Sequence, residues 1–452
     1  MSNRSITTRI LAACALLLSS GVAAQVQPVD TLNNLQSCLS YALEHNPSST
    51  VYLNQAKIAK QKAVEASSVY LPQVNASVAA DDNLKRATTI IPAGAFSPVD
   101  LELQMGSQYS TNAVVQVEQT VYDQNMFYAG AANRANNTIA QLNILRNNEE
   151  IVYNTASAYY QVLVCNEQEQ LLAQNEAKYN DLLAVLQLQY EKGAAKKLDY
   201  DRVRVSLNNI KAQQSLVAMN KELALNRLKN AMGLALESNL VVSDSIDYSR
   251  EISMPLKNIG FNFHQLVDHR IQSENLKLMD LNTRRRRAAF LPTLSLYGRY
   301  GAQSYGNDFG ESFNNWFGYS TVGLKLNVPI FSGFRRNSQY MQSKLEFENA
   351  QLNMEISEQS MRLRYLNSWT QLFSSYTSLS TNHENLDLAR EVFETTSLQY
   401  KTGAAPLSDF LNSDFSYKEA QTNYITSLLN FLTARLDYER AQGTLTLYIN
   451  NL

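Results

Sequence analysis

Proline and glycine are scarce where a chain of this length normally spends them. The 452 residues hold 9 prolines and 16 glycines, and residues 131–192, 194–232, 337–402 and 407–442 hold neither. Both residue types interrupt helices, so stretches of 60-odd residues without them predict helices about 90 to 100 Å long, far beyond the globular average. Long apolar runs are also missing. Beyond the N-terminal segment nothing approaches the roughly 18 to 20 consecutive apolar residues of a membrane-spanning helix, so entry into a membrane would require strands. A formal net charge of -2 with 18% charged residues lacks the basic surplus of a nucleic-acid binder. The 4 histidines are scattered. His264 and His269 stand five apart, not the four of a helical zinc pair, and no HExxH, GxSxG or phosphate-binding glycine loop is present. The expectation is therefore no enzyme, no metal centre and no cofactor.

Cysteine is rare as well. Residues 1–24 read as an export signal: Arg4 and Arg9 precede an apolar run from Ile10 to Leu18, and Val22, Ala23 and Ala24 supply small residues for cleavage. A lipoprotein reading of Leu11 to Cys14 competes, but the apolar stretch lies mostly after Cys14. Cleavage leaves Cys38 and Cys165, too few for a disulfide scaffold. A single bridge between them is possible and nothing in the spacing requires it.

What the chain does contain is a repeat. "LQYEKGAAKKLDY" from Leu188 returns as "LQYKTGAAPLSDF" from Leu398, 210 residues later. Around these peptides the order of signals is the same: Leu71-Pro72 and Leu291-Pro292 open strand-like segments, "QTVYDQN" from Gln119 corresponds to "VPIFSGF" from Val328, and closing helices end at Gly233 and Gly443. Residues 25–240 form a first repeat, 241–260 a connector and 261–452 a second repeat. Apolar residues within the helices recur at steps of seven, as in Leu172, Tyr179 and Leu186 or Leu379, Leu386, Phe393 and Tyr400. Heptads alone fit a coiled-coil rod, a periplasmic or surface structural protein, equally well.

Four segments alternate with period two instead. Val74, Ala76, Val78 and Ala80 alternate with polar residues, as do Ala113, Val115 and Val117, then Leu294, Leu296, Gly298 and Tyr300, then Val322, Leu324, Leu326 and Val328. One greasy and one wet face suits a membrane β-barrel or a soluble sandwich. Four strands complete neither, and open edges are not tolerated in lipid, so a barrel must be shared with copies of the chain. Residues 81–110 and 301–320 read as long loops, and Phe309, Phe313, Trp316, Phe317 and Tyr319 as an interfacial aromatic girdle. The Arg284 to Arg287 run falls at the barrel's periplasmic rim rather than on nucleic acid.

The duplicated order of Leu-Pro strand starts, the "VPIFSGFRR" junction at Val328 to Arg336 and the paired "QYxxGAA" turns resembles the TolC-like outer membrane efflux proteins over essentially the whole mature chain. The resemblance implies a mainly α fold with membrane β: long helical hairpins forming a periplasmic α-barrel, and four strands per chain entering a homotrimeric 12-stranded β-barrel in outer membrane lipid. It implies an exit duct for an inner-membrane transporter of the RND or ABC type, joined through a periplasmic adaptor, in efflux or type I secretion. Adaptor contacts map to Gly193, Ala194, Ala195, Gly403, Ala404 and Ala405. The family's gate aspartates map to Asp409 and to Asn412, where the charge is missing; Asp414 is a partial substitute at another helical angle. The latch maps to Asp199 and Tyr400, and an arginine of the best-known member is replaced by Ala405. An N-cap role is the plain alternative for Asp409.

Overall fold

The computed structural model describes residues 34–242, except 92, 95–97 and 100, together with 254 and 261–450. The expected export signal and nearly all of the expected connector lie outside the described residues. Each repeat has the same order. The first contains α1 (Leu35–His45), α2 (Pro47–Ser68), β1 (Gln73–Asp82), a hairpin of β2 (Thr88–Ile91) and β3 (Leu101–Gln104), β4 (Tyr109–Tyr122), α3 (Asn125–Glu191) and α4 (Lys197–Met232). The second contains a 3-10 turn (Phe263–Gln265), α5 (Val267–Ala288), β5 (Thr293–Gly306), β6 (Trp316–Asn327), α6 (Arg335–Lys401), α7 (Leu407–Gln442) and α8 (Leu445–Asn450). Both α3 and α6 run for 67 residues, about 100 Å at helical rise. Helix α3 starts earlier than the proline- and glycine-free window and carries Gly130 inside it.

The steps of seven become packing seams. Tyr365, Leu372, Leu379, Leu386 and Phe393 are buried along α6 and face Phe410, Tyr417, Tyr424, Phe431 and Tyr438 along α7. In the first repeat Leu172, Tyr179 and Leu186 of α3 share the core with Val203, Ile210, Val217 and Ala224 of α4. Each large apolar side chain so buried contributes about 1.5 to 3 kcal/mol. Helix α3 packs on both α4 and α7, which orders the lower helices as α4, α3, α7, α6. The outer helices keep apolar residues exposed: Leu198, Val205, Leu216, Met219 and Leu223 on α4, and Leu345, Leu352, Ile356, Leu363 and Phe373 on α6.

The main sheet is antiparallel in the order β1-β4-β5-β6, so the β4–β5 pair joins the two repeats and β1 and β6 are edges. Its register keeps like with like. Val74 pairs with Val117, Val115 with Tyr300, Gly298 with Val322 and Leu294 with Leu326 on the apolar face. Asn75 pairs with Gln116, Gln116 with Arg299 and Ser295 with Lys325 on the other. On that polar face Tyr297 lies against Gly323 and Tyr319 against Gly301, where an added Cβ would come within 2.7 Å of either tyrosine side chain. Glycine opposite tyrosine is what lets the sheet bend around the ring.

Two sequence expectations need correction here. The segments taken as long loops contain strand ends: β1 reaches Asp82, β4 begins at Tyr109, β5 runs to Gly306 and β6 begins at Trp316, while residues 88–104 hold the β2–β3 hairpin. Polar composition misled because a barrel's inner face is polar, so strand and loop look alike there. Nor do all five aromatics belong to one outer girdle. Phe309 packs edge-on against Phe313, and Trp316 Nε1 donates to the Phe313 carbonyl at 2.9 Å. Tyr319, in contrast, is on the polar face with its hydroxyl 3.2 Å from Asn112 Oδ1, and Phe317 shares its parity.

Candidate functional site

The two hairpin turns are built identically. Just past the end of α3 stands Gly193 at φ +74°, and just past the end of α6 Gly403 at φ +77°. Gly193 N–H donates to Tyr190 O at 2.9 Å and Ala194 N–H to Gln189 O at 2.7 Å; Gly403 N–H donates to Tyr400 O at 3.1 Å and Ala404 N–H to Gln399 O at 2.8 Å. These are Schellman caps, in which a left-handed residue lets orphan carbonyls be satisfied. The glycines are thus fixed in one conformation rather than loose. Nothing lies within 4 Å of an added Cβ at either, and Ala194 and Ala404 are exposed while Ala195 and Ala405 are half-buried. Aromatic pairs brace both turns, Tyr190 with Tyr200 at 6.4 Å and Tyr400 with Phe410 at 5.6 Å between centroids.

Between the turns the hairpins enclose a cavity of about 900 Å³ that includes Tyr179, Ala195, Asp199, Tyr400, Phe410 and Asp414 in its lining. The expected latch residues therefore come together. Burial, and secondarily the Asp199 charge, push the Tyr400 hydroxyl pKa upward. Asp199 also lies 3.8 Å from Arg202. Asp409 and Asn412 are exposed on the first turns of α7, one helical turn apart and on one side. The N-cap of α7 is Pro406, so the capping alternative for Asp409 is not what the helix uses.

Asp414 is a correction. It is buried, accepts a hydrogen bond from the Tyr179 hydroxyl and pairs with Lys418 Nζ at 2.8 Å. Lys418 sits 4.0 Å over the Tyr179 ring, and burial, then the Asp414 charge, raise the Tyr179 pKa. Nearby Asn175 Nδ2 donates to Gln421 Oε1 at 2.8 Å. This polar seam ties α3 to α7, so Asp414 cannot substitute as a second charged ring. Cys38 and Cys165 are buried thiols that the structure does not join; burial pushes Cys38 up to about 12. Sequence reading also missed a grouping of His264, His269 and Glu358, whose ligand-type atoms lie within 4.8 Å of one another. The third member is 89 residues from the second, beyond the reach of spacing rules.

No helix among the described residues is long and apolar enough to cross a membrane, and the main sheet has one apolar face and two open edges. The family model for the outer membrane efflux protein matches residues 38–234 and 275–451, and the chain belongs to that family. Among curated relatives it is 20% identical to the alkaline protease secretion protein AprF of Pseudomonas aeruginosa, over 87% of this chain and 81% of that one. It is 22% identical to the outer membrane protein TolC of Escherichia coli, over 78% and 76%. Among solved structures CusC superposes with a TM-score of 0.76 at 15% identity, covering 93% of this chain and 95% of that one. The open state of the Neisseria gonorrhoeae MtrE channel gives 0.69 at 17% identity, covering 91% and 90%. The fold is the TolC-like one, in which each chain adds four strands to a trimeric 12-stranded barrel and its hairpins to an α-barrel. The protein is an outer membrane exit duct that extends into the periplasm.

Proposed function

We propose that a homotrimer of this chain carries substrates delivered by an inner-membrane RND or ABC transporter, and that the Gly193–Ala195 and Gly403–Ala405 turns dock a periplasmic adaptor. Residues 25–240 and 261–452 are the two repeats of the mature chain, joined by 241–260 after removal of 1–24. The observation that carries this reading is the pair of matching Schellman turns, rigid in backbone and bare of side chains, at one end of helices about 100 Å long. Small residues there let a partner's helices approach the backbone. The duct contributes passage and gating rather than chemistry.

Asp409 is the gate constriction. Three copies around a threefold axis repel one another and attract cations, and Asn412 one turn further adds a polar ring without charge. Asp199 and Tyr400 latch the first hairpin to the second within the cavity they share. Single-channel recordings of the purified mature protein in planar bilayers test the gate. Discrete steps with cation selectivity are expected, with selectivity reduced in Asp409→Ala and open probability raised in Tyr400→Phe. Selectivity unchanged in Asp409→Ala removes the gate assignment, and a soluble protein that never conducts removes the duct. Photocrosslinkers at Ala194 and Ala404 in cells test docking; capture of a periplasmic adaptor from both turns is expected, and none from either would overturn it.

A further inference from the structure

We propose that His264, His269 and Glu358 form a divalent transition-metal site of the zinc class, which pins the start of the second repeat to the middle of α6. The three residues come from separate pieces of backbone: the 3-10 turn, the first turn of α5 and the interior of α6. His264 Nδ1 and Glu358 Oε1 each lie 3.1 Å from His269 Nε2. That nitrogen holds at most one proton, so it cannot make a full hydrogen bond as donor to both neighbours. Three atoms that carry lone pairs have been brought to one point, and a cation satisfies all three at once.

The spacing suits a tetrahedral ion. Zinc bonds near 2.05 Å at tetrahedral angles put neighbouring ligand atoms about 3.3 Å apart; two of the three separations here are 3.1 Å and all lie within 4.8 Å. His264 is exposed, and rotation of its ring closes the remaining edge. Its backbone is already fixed, because its N–H donates to the Asn262 side chain at 3.0 Å. His269 is held more firmly, with its side chain only 9% exposed and the Phe263 ring 5.4 Å away. Both histidines also line a cavity of about 230 Å³ together with Thr138, Arg270, Ser273 and Glu274, ample for a water as fourth ligand. Two imidazoles and one carboxylate favour zinc and its neighbours over magnesium or calcium, which prefer all-oxygen shells. With neutral imidazoles the ion also compensates the Glu358 charge. Its role is structural: it joins the turn that opens the second repeat to α6, the helix that ends at Lys401.

The test uses the intact, detergent-purified trimer after chelator treatment. Zinc uptake is measured by equilibrium dialysis with elemental analysis, and cobalt absorption serves as a geometry probe. One zinc per chain and a tetrahedral cobalt spectrum are expected. Affinity should fall at least tenfold in His264→Ala, at an exposed position, and in His269→Ala and Glu358→Gln, while His383→Ala, exposed and further along α6, leaves it unchanged. Zinc should raise the melting temperature of the wild type but not of His264→Ala. No zinc bound by the wild type, or equal affinity in wild type and His264→Ala trimers, overturns the site.

Discussion

The two long hairpins share a backbone and differ in what fills them. The first is zipped by Val203, Ile210, Val217 and Ala224 from its returning helix, small aliphatics that need close helix approach. The second is zipped by rings: Phe393 stacks on Tyr417 at 5.3 Å, Tyr376 meets Phe431 at 5.9 Å and Tyr365 meets Tyr438 at 5.8 Å. The returning helices also differ in place. Helix α4 is an outer helix of the chain, whereas α7 lies between α3 and α6 and is buried along much of its length. A duplicated sequence has thus been free to diverge in its seams while keeping its turns. The aromatic seam offers large ring surfaces, and it belongs to the hairpin to which the gate is assigned.

The sharpest way to break this comparison is to hollow out each seam. Phe431, with no exposed surface, should cost about 3 to 5 kcal/mol as Phe431→Ala, since an aromatic leaves a large cavity between rigid helices. Val203, equally buried, should cost about 2 kcal/mol as Val203→Ala, two methylene equivalents plus a small void. Denaturant midpoints of the purified trimer, read by helical circular dichroism, measure both. Equal shifts would mean that the two seams are energetically interchangeable.

Next in size is the buried polar seam. Asp414→Ala leaves Lys418 and the Tyr179 hydroxyl without their acceptor and should cost about 2 to 3 kcal/mol, below the usual loss for a buried pair because Lys418 reaches water. The position 210 residues earlier is Arg204, exposed on α4, and Arg204→Ala should stay within about 0.5 kcal/mol. The same measurement decides. If Tyr179→Phe shifts the midpoint as much in the Asp414→Ala background as alone, the two residues are not coupled.

How much of this was legible follows from range. Seam residues such as Leu379, Leu386 and Phe393 announce themselves because a packed long helix repeats every seven residues. The lipid face announces itself through Leu294, Leu296 and Val322 because one face of a strand must be apolar. Asp414 did not, since a carboxylate on a polar helix usually meets water, and its partner Tyr179 is 235 residues away. Glu358 was silent for the same reason. Strand ends at Tyr109 and Trp316 were hidden because inner-face residues and loop residues obey the same polar rule.

The smallest effects test what the hairpins have in common. Gly193 and Gly403 both require positive φ, and both have open space where a methyl would go. Alanine at either position therefore meets only the backbone cost of the left-handed region, about 1 to 2 kcal/mol, with no clash added. The two shifts should agree within error despite the different seams beneath them. A clearly larger loss for Gly403→Ala would show that the aromatic brace of Tyr400 and Phe410 stiffens its turn more than Tyr190 and Tyr200 stiffen theirs. The proposed docking makes a separate demand: adaptor crosslinking from Ala194 and Ala404 should weaken in the variant whose turn is disturbed. Stability and docking therefore report on the same few atoms, one through the carbonyls the turn satisfies and the other through the bare surface it presents.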